Sequence, residues 1–274
     1  MVMPPITGVG VRMDMSGPTP SPLPHSLLAT PGVVAEESAG RWLNGVNLLG
    51  YPEDEVLLWE PCSEGTYRTK ESESDWSEDQ FDPFVAYLPI TCSTLGWSEI
   101  EGRARAVLDA TLSQAVEQAL VSGITGSGNP YFGDANLTLL NGGAATTPAV
   151  ALSYLEDAIA ATGRMGLIHA TPSVVVSWGA LDEAAPLKTR NGTPIVSGAG
   201  YIGADPDTGA SPAAGQSWLF GTGPVEVRLA QAPTTTLAES LDRSDNTVTF
   251  RVERYVLATW DTALQVGVLV DWSP

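Results

Sequence analysis

Residues 98–121 read SEIEGRARAVLDATLSQAVEQALV, and this stretch predicts one long amphipathic helix. Ser98 and Glu101 match the Ser-x-x-Glu capping box, in which a hydroxyl and a carboxylate satisfy unpaired backbone N–H groups at a helix start. Apolar residues then recur at spacings of three and four until Gly123, a residue type that favours a helix end. They are Ile100, Ala104, Val107, Leu108, Leu112, Ala115, Val116, Ala119 and Leu120. So wide an apolar stripe must be buried, and we expect the helix to lie along a sheet.

Two shorter helices are predicted after this one. Thr147-Pro148 favours a helix start, with Thr as the cap and Pro in the first turn, and Gly163 favours the end. Thr171-Pro172 repeats the start signal and predicts a third helix. The apolar run Leu167–Ala170 lies between them and predicts a buried strand.

The C-terminal part of the chain is rich in β-prone residues. Asn191-Gly192 predicts a tight hairpin turn, and Thr234–Ser240 predicts a mobile loop between strands. Strands drawn from distant parts of the chain, with few helices, predict an α+β fold with non-local pairing. The predicted strands are Ser217–Phe220, Val225–Ala230, Thr247–Thr259 and Leu264–Trp272, with earlier β-prone runs at Val56–Trp59 and Phe84–Leu88.

The first forty residues form a proline-rich arm. Seven prolines fall in residues 1–40, and alternation such as Pro18-Thr19-Pro20 favours an extended backbone without internal hydrogen bonds. Ordering such a segment costs roughly 1 to 2 kcal/mol per residue. We therefore expect the arm not to bury itself and to be held by something outside it.

A strongly acidic segment follows the arm. Residues 53–82 contain eleven acidic residues against Arg68 and Lys70, a net charge of −9. The β-prone runs on either side predict a long two-stranded excursion. A lone hairpin of that charge is marginal in water, so this segment too is expected to need a neighbour.

Composition excludes several classes of protein. The chain of 274 residues has 13 basic and 32 acidic residues, a net charge of −19. A nucleic-acid-binding face needs clustered Lys and Arg, so a protein of this charge could enclose DNA without binding it tightly.

We expect no membrane span and no signal peptide, because no apolar run of about 18 residues and no basic leader is present. Cys62 lies within the acidic segment and Cys92 follows it, and either one bridge or two free buried thiols is compatible with their positions.

The motifs that resemble functional sites are incomplete. Gly198–Gly203 satisfies G-x-G-x-x-G, but Asp205-Pro206-Asp207 follows where a pyrophosphate site needs a helix. The stretch Asp205–Gly209 opens like a calcium loop but lacks its later ligands, with Gln216 at the twelfth place, and predicts a tight acidic turn.

His169 lies in an apolar strand and is interpreted as a core histidine. The other histidine is His25, so no multi-histidine metal centre is expected. A glycosidase pair needs two carboxylates, and nothing singles out which two. We expect no catalytic, cofactor or metal site.

Six stretches spread over most of the chain carry a resemblance to known proteins: Arg41–Val46, Gly102–Arg105 leading to Ala115–Glu117, Gly166–Ala170, Thr193–Val196, Gly221–Val225 and Arg251–Arg254 through Val270. They look like stretches in capsid proteins from phages of actinobacteria. The order of arm, projecting β-loop, long helix, mixed domain and late strands also resembles the major capsid proteins of tailed bacteriophages, whose fold is named after Hong Kong phage 97. The likeness is diffuse.

The resemblance implies a division of the chain. Residues 1–40 would be the N-arm, 41–50 the start of the peripheral domain, and 51–90 the extended β-hairpin loop. Residues 91–147 would complete the peripheral domain, with its spine helix at 98–122. Residues 148–250 would form the axial domain, and 251–274 would be terminal strands returning to the peripheral domain.

The resemblance also implies partners and a location. The chain would assemble with itself as hexamers and pentamers in a virion capsid built in the bacterial host cytoplasm, without binding DNA sequence-specifically. Portal, scaffolding and decoration proteins would be its other partners, and since the chain starts at Met1 we expect any scaffold to be a separate protein. Some members cross-link neighbouring subunits through a lysine on the extended loop, and Lys70 is the candidate here.

Three functions remain open from the sequence. The first is a structural shell protein that self-assembles into an icosahedral phage head around DNA. The second is an encapsulin-like compartment, which would hold cargo enzyme instead of DNA. The third is an acidic extracellular hydrolase or carbohydrate-binding module with Trp-lined clefts.

Overall fold

A computed structural model describes residues 18–36, 40–49, 78–93, 97–178, 187–202, 212–231, 233–237, 244 and 247–273. The helices are α1 (Trp97–Ser122), α2 (Pro148–Ala161) and α3 (Pro172–Ser177). The strands are β1 (Val34–Glu36), β2 (Val46–Leu49), β3 (Glu78–Phe81), β4 (Phe84–Ser93), β5 (Thr138–Leu139), β6 (Leu167–Ala170), β7 (Ile195–Ser197), β8 (Gln216–Thr222), β9 (Val225–Leu229), β10 (Thr234–Leu237), β11 (Thr247–Trp260) and β12 (Gln265–Asp271). None of the helices in these ranges is both long and apolar enough to cross a bilayer.

The strands form two larger sheets and one small one. The first sheet has the order β1-β9-β11-β10, and β4 pairs with the other edge of β11. The second has the order β5-β12-β8-β6-β7, and β2 and β3 form an antiparallel pair. Strand β11 organises the first sheet because its fourteen residues pair with β4, β9 and β10. The α+β prediction is confirmed.

Helix α1 confirms the long helix expected at 98–122. Its N-terminal half packs Ala104 and Leu108 against Phe250 and Val252 of β11. Its C-terminal half enters the main core of the first sheet through Leu112, Val116, Leu120 and Val121. The side chain of Ser98 lies outside the described part, so the capping box stays a prediction.

Two details of the predicted stripe on α1 are wrong. Val107 is 37% exposed and Ala115 is exposed, whereas Ser113 and Glu117 are buried. A polar residue can occupy a core position when its hydrogen bonds are satisfied there. Apart from their bond to each other, Ser113 and Glu117 have partners from other elements, so the spacing of apolar residues does not reveal their burial.

The other helices begin where predicted. Helix α2 starts at Pro148 after Thr147 and packs Ala151, Leu155 and Ile159 into a second core with β6, β8 and β12. Helix α3 starts at Pro172 after Thr171. The predicted buried strand Leu167–Ala170 is β6, with all four residues buried.

The late strands also form where predicted, with one correction. The four expected segments correspond to β8, β9, β11 and β12, and the run at Phe84 begins β4. At Asn191-Gly192 the chain turns with Gly192 at φ +97° and with Lys188 bridged antiparallel to Pro194. Thr234–Leu237, expected within a mobile loop, is instead β10. Its partner is β11, a non-local strand that local composition cannot indicate.

The expectation that the arm lacks burial on its own chain is wrong for residues 23–36. Leu27 and Val33 are buried in the main core, and β1 pairs in parallel with β9. The backbone N–H of Val227 donates to the carbonyl of Val33 at 2.7 Å. Residues 1–17 lie outside the described residues, as do Val56–Trp59 and most of the acidic segment.

The two terminal strands belong to different sheets. Strand β11 lies in the first sheet with β4, while β12 pairs with β8 in the second sheet. Strands β9 and β10, from the range 148–250, lie in the first sheet. The expected boundaries at 148–250 and 251–274 therefore do not coincide with the division between the sheets.

Candidate functional site

A fully buried carboxylate lies on α1. Glu117 on α1 is 0% exposed. Its Oε1 accepts hydrogen bonds from the backbone N–H of Leu27 at 2.9 Å and from the Ser113 hydroxyl at 3.0 Å. Its Oε2 accepts from the backbone N–H of Gly200 at 3.0 Å. Three donors from three parts of the chain therefore replace the water that this carboxylate loses on burial.

Two glycines of the G-x-G-x-x-G motif make this contact possible. A Cβ at Gly198 would overlap the Glu117 carboxylate, and a Cβ at Gly200 would overlap the α1 backbone at Gln114. A short 3-10 turn, Ala199–Tyr201, follows Gly198 in place of an α-helix. Close approach to α1 is thus a structural reason for these glycines.

Burial perturbs the titration of this group. Loss of hydration raises the pKa of Glu117, while the hydrogen bonds from Leu27, Gly200 and Ser113 act in the opposite direction. Tyr201, next to Gly200, has its pKa raised well above its usual value, first by burial and then by the charge of Glu117. The two groups form a continuous buried polar region.

That region continues to His169 on β6, which is fully buried. The Tyr201 hydroxyl lies 3.0 Å from His169 Nδ1, and Thr222 Oγ1 lies 2.9 Å from Nε2. The Thr222 hydroxyl donates to the carbonyl of Gly223 at 2.8 Å, so it must accept from the imidazole. The proton of His169 therefore resides on Nε2, and the Tyr201 hydroxyl donates to Nδ1.

This arrangement leaves His169 no catalytic capacity as a base. Burial lowers its pKa to about 3, so the imidazole is neutral at physiological pH. Both ring nitrogens are engaged, and the Phe132 ring centroid lies 4.6 Å from that of the imidazole. The interpretation as a core histidine is confirmed.

An oxygen-rich groove of about 740 Å³ lies beside the loop that follows α1. Its polar groups bind one another: Gln265 Nε2 donates to Asp134 Oδ1 at 2.7 Å, and the Thr262 hydroxyl donates to Asp79. Asn129 bonds both backbone groups of Asp82. Within the described ranges no group of three or more His, Cys, Asp or Glu side chains could hold a metal ion. These hydrogen bonds brace the loop that follows α1.

The sequence-predicted site residues fall largely outside the described part of the chain. Lys70, Cys62 and the stretch Asp205–Gly209 lie there entirely. Cys92 lies on β4, paired with Val248, and its side chain is not among those described. The cross-link and the disulfide remain predictions. Glu117 was missed, although Ser113 and Glu117 are polar residues four apart inside an apolar stripe.

The outer face of the β4–β11 ribbon is mixed in character, with exposed aromatic and aliphatic side chains beside Arg251 and Glu253. Tyr87 is 58% exposed, and Val85 and Tyr255 are exposed beside it in the register Tyr255↔Val85. The Arg251 guanidinium lies 5.7 Å from the centroid of the Tyr87 ring. The opposite face of the ribbon is covered by α1 through Phe250 and Val252. The ribbon therefore has one buried face and one exposed face that combines aromatic and charged side chains.

No protein-family model matches the chain, and no curated protein matches it. Solved structures do match along nearly its whole length. A chain from the capsid of an empty GTA particle is 14% identical, with 99% of this chain and 96% of that chain covered, at a TM-score of 0.57. A chain of Gordonia phage Cozz is 12% identical, with 98% and 92% covered, at a TM-score of 0.52.

The chain has the fold of a phage capsid protein. A chain of an encapsulin complex from Synechococcus elongatus matches as well, at 12% identity and a TM-score of 0.55, with 94% and 92% covered. The phage-capsid fold confirms the fold class that the sequence resemblance implied. At these identities the likeness concerns the fold alone.

Proposed function

We propose that this chain is a major capsid protein that assembles with itself into the icosahedral head shell of a tailed phage. The observation that carries the proposal is the phage-capsid fold, matched over at least 98% of this chain in two particles. The role is structural, with no step of bond chemistry. The protein would reside in the virion and assemble in the host cytoplasm.

Surface and charge support this proposal. The outer face of the β4–β11 ribbon, where Tyr87 and Tyr255 are exposed beside Arg251, suits contact with another subunit, because aromatic and Arg side chains are enriched in interfaces. The net charge of −19 suits a shell that encloses DNA without holding it. Many weak contacts repeated over a lattice would supply the stability of the particle.

The regions implied by the resemblance are part of the proposal. Residues 1–40 would be the N-arm, its part from 23 to 36 seated on its own subunit, and 51–90 the extended loop reaching a neighbour. The spine helix would be α1. Hexamers and pentamers would be the building units, with portal, scaffolding and decoration proteins as partners. Lys70 stays the cross-link candidate, and Cys62 and Cys92 stay candidates for a bridge.

Electron microscopy of the purified full-length chain tests the proposal. We expect closed particles of uniform size, and elution in the void volume on size-exclusion chromatography. A wild-type chain that stays monomeric at all concentrations and ionic strengths would contradict it.

A pair of variants tests the contact surface itself. Tyr87→Glu places a charge on the ribbon face and is expected to block particles while the subunit stays folded. Met165→Glu is the matched control, because Met165 is 67% exposed and lies before β6, away from the ribbon. Equal assembly of both variants would remove the ribbon face from the proposal.

An encapsulin-like compartment is the second candidate, favoured by the match to the encapsulin chain. The contents of the particles distinguish the two. We expect nuclease-protected DNA in particles from infected cells, whereas a compartment would contain a co-purifying enzyme identified by mass spectrometry.

A further inference from the structure

Two separate segments of the chain are held by the same carboxylate on α1. The arm segment, residues 23–36, donates the N–H of Leu27 to Glu117 Oε1. The glycine turn, residues 198–201, donates the N–H of Gly200 to Oε2 of the same group. These donors lie 90 and 83 residues from Glu117, so only the folded state brings them together.

The contacts around this carboxylate leave little freedom. Ser113 receives the N–H of Leu28 at 3.1 Å and donates its own proton to Glu117 Oε1. On the other side, Gly198 and Gly200 press against Glu117 so closely that neither could carry a side chain. A shift of the Glu117 side chain toward one segment therefore moves it away from the other.

Each segment continues into the edge of a different sheet. The arm segment ends in β1, which pairs with β9 at one edge of the first sheet. The glycine turn follows β7, the strand at one edge of the second sheet. Glu117 thus connects two sheet edges through α1.

Hydrogen bonds to one buried carboxylate are interdependent. Each donor reduces the cost of keeping the group buried, so loss of one donor weakens the hold on the others. We propose that Glu117 is a positioning residue that couples seating of the arm segment to closure of the glycine turn on α1. Release of the arm segment then loosens the turn and β7. This coupling belongs to a single subunit and does not rest on the proposed function.

Residue-resolved hydrogen exchange on the full-length chain tests the coupling, with the Gly200 amide as the readout. Leu27→Ala and Val33→Ala are matched truncations, because both residues are buried apolar residues of the arm segment. Only Leu27 adjoins Glu117, whereas the carbonyl of Val33 binds β9. Leu27→Ala keeps the backbone N–H but removes the buried side chain that seats the arm segment. We expect it to speed exchange at Gly200 about tenfold. Val33→Ala should leave Gly200 unchanged.

The same comparison in a Glu117→Ala background shows whether the carboxylate carries the effect. Gly200 has lost its acceptor there, so exchange is already fast and Leu27→Ala should add nothing. The readout is Gly200 because the N–H of Ser197 binds the carbonyl of His25 directly at 2.7 Å. Should Leu27→Ala fail to fold, Leu27→Met provides a milder change at the same place.

Three results would overturn the coupling. One is faster hydrogen exchange in the arm segment of Leu27→Ala together with unchanged exchange at Gly200. Another is equal acceleration of Gly200 by Val33→Ala. The third is an effect of Leu27→Ala on Gly200 that persists in full without Glu117.

Discussion

Glu117 and His169 are both ionisable and fully buried, but the protein stabilises them in different ways. Glu117 is surrounded by donors from the arm segment, from α1 and from the glycine turn. His169 is kept neutral between two hydroxyl groups, both from within the same half of the chain. The carboxylate therefore joins the arm segment to the second half of the chain, whereas the hydrogen bonds of the imidazole stay within that second half. Removal of Glu117 should therefore cost more stability, and affect more of the chain, than removal of His169.

The largest effect is expected for Glu117→Ala. The variant leaves the N–H groups of Leu27 and Gly200 buried without an acceptor and opens a cavity, which should lower the free energy of unfolding by about 3 to 5 kcal/mol. Chemical denaturation of the unassembled subunit measures it. Asp109→Ala is the control on the same helix, since Asp109 is half exposed and pairs with Arg254 at 3.5 Å. Arg254 is only 11% exposed but keeps its bond to the carbonyl of Ala230 without Asp109, so we expect a loss of about 1 kcal/mol. Equal losses would contradict the contrast between core and surface.

A smaller loss is expected for His169→Leu. The variant removes two hydrogen bonds, but the Thr222 hydroxyl keeps its bond to Gly223, so we expect about 1 to 3 kcal/mol. The loss should also depend on pH. Because the folded pKa is about 3 against 6.5 unfolded, the neutral imidazole contributes stability above pH 6.5 that is lost progressively as pH falls toward 3. The leucine variant lacks this decline, and parallel pH curves for the two proteins would be the contrary result.

Ser113→Ala is expected to cost less, about 1 kcal/mol. It removes the acceptor of the Leu28 N–H and one of three donors to Glu117, but the other two donors remain. Hydrogen exchange should show the change at Leu28 first. Thr111→Ala is the matched control, because its exposed hydroxyl only bonds the Val107 carbonyl one turn earlier on α1.

The smallest effect concerns pH and Glu117 itself. Burial raises its folded pKa above the unfolded value of 4.5, so the stability linked to this group is present below pH 4.5 and is lost as pH rises through the folded pKa. Glu117→Gln cannot titrate, so the difference in stability between wild type and variant should change in that window. Tyr201 titrates far above it. The sign is opposite to that of His169, and an equal sign for both would refute the interpretation of the two environments.

Much of the fold could be predicted, because its signals are local. The Thr-Pro starts of α2 and α3 and the spacing on α1 depend on neighbouring residues in the chain. The glycines at 198 and 200 were visible as a motif, but their purpose was not, because Glu117 lies on another element. Strand β10 was not predicted for the same reason. It forms by pairing with β11, and the residues of β10 themselves carry no signal for that pairing.

The sequence by itself determined where helices and late strands lie, which residue types could form an apolar stripe, and that His169 belongs to a core. Tertiary structure decided that the arm segment seats on its own chain, that the terminal strands divide between two sheets, and that Glu117 is buried. The contacts of Glu117 join residues 83 and 90 positions apart, and the pairing of Val34 with Val227 spans still more of the chain. Spacing patterns report periodicity over a few turns, and contacts across such distances form only when the whole chain has folded.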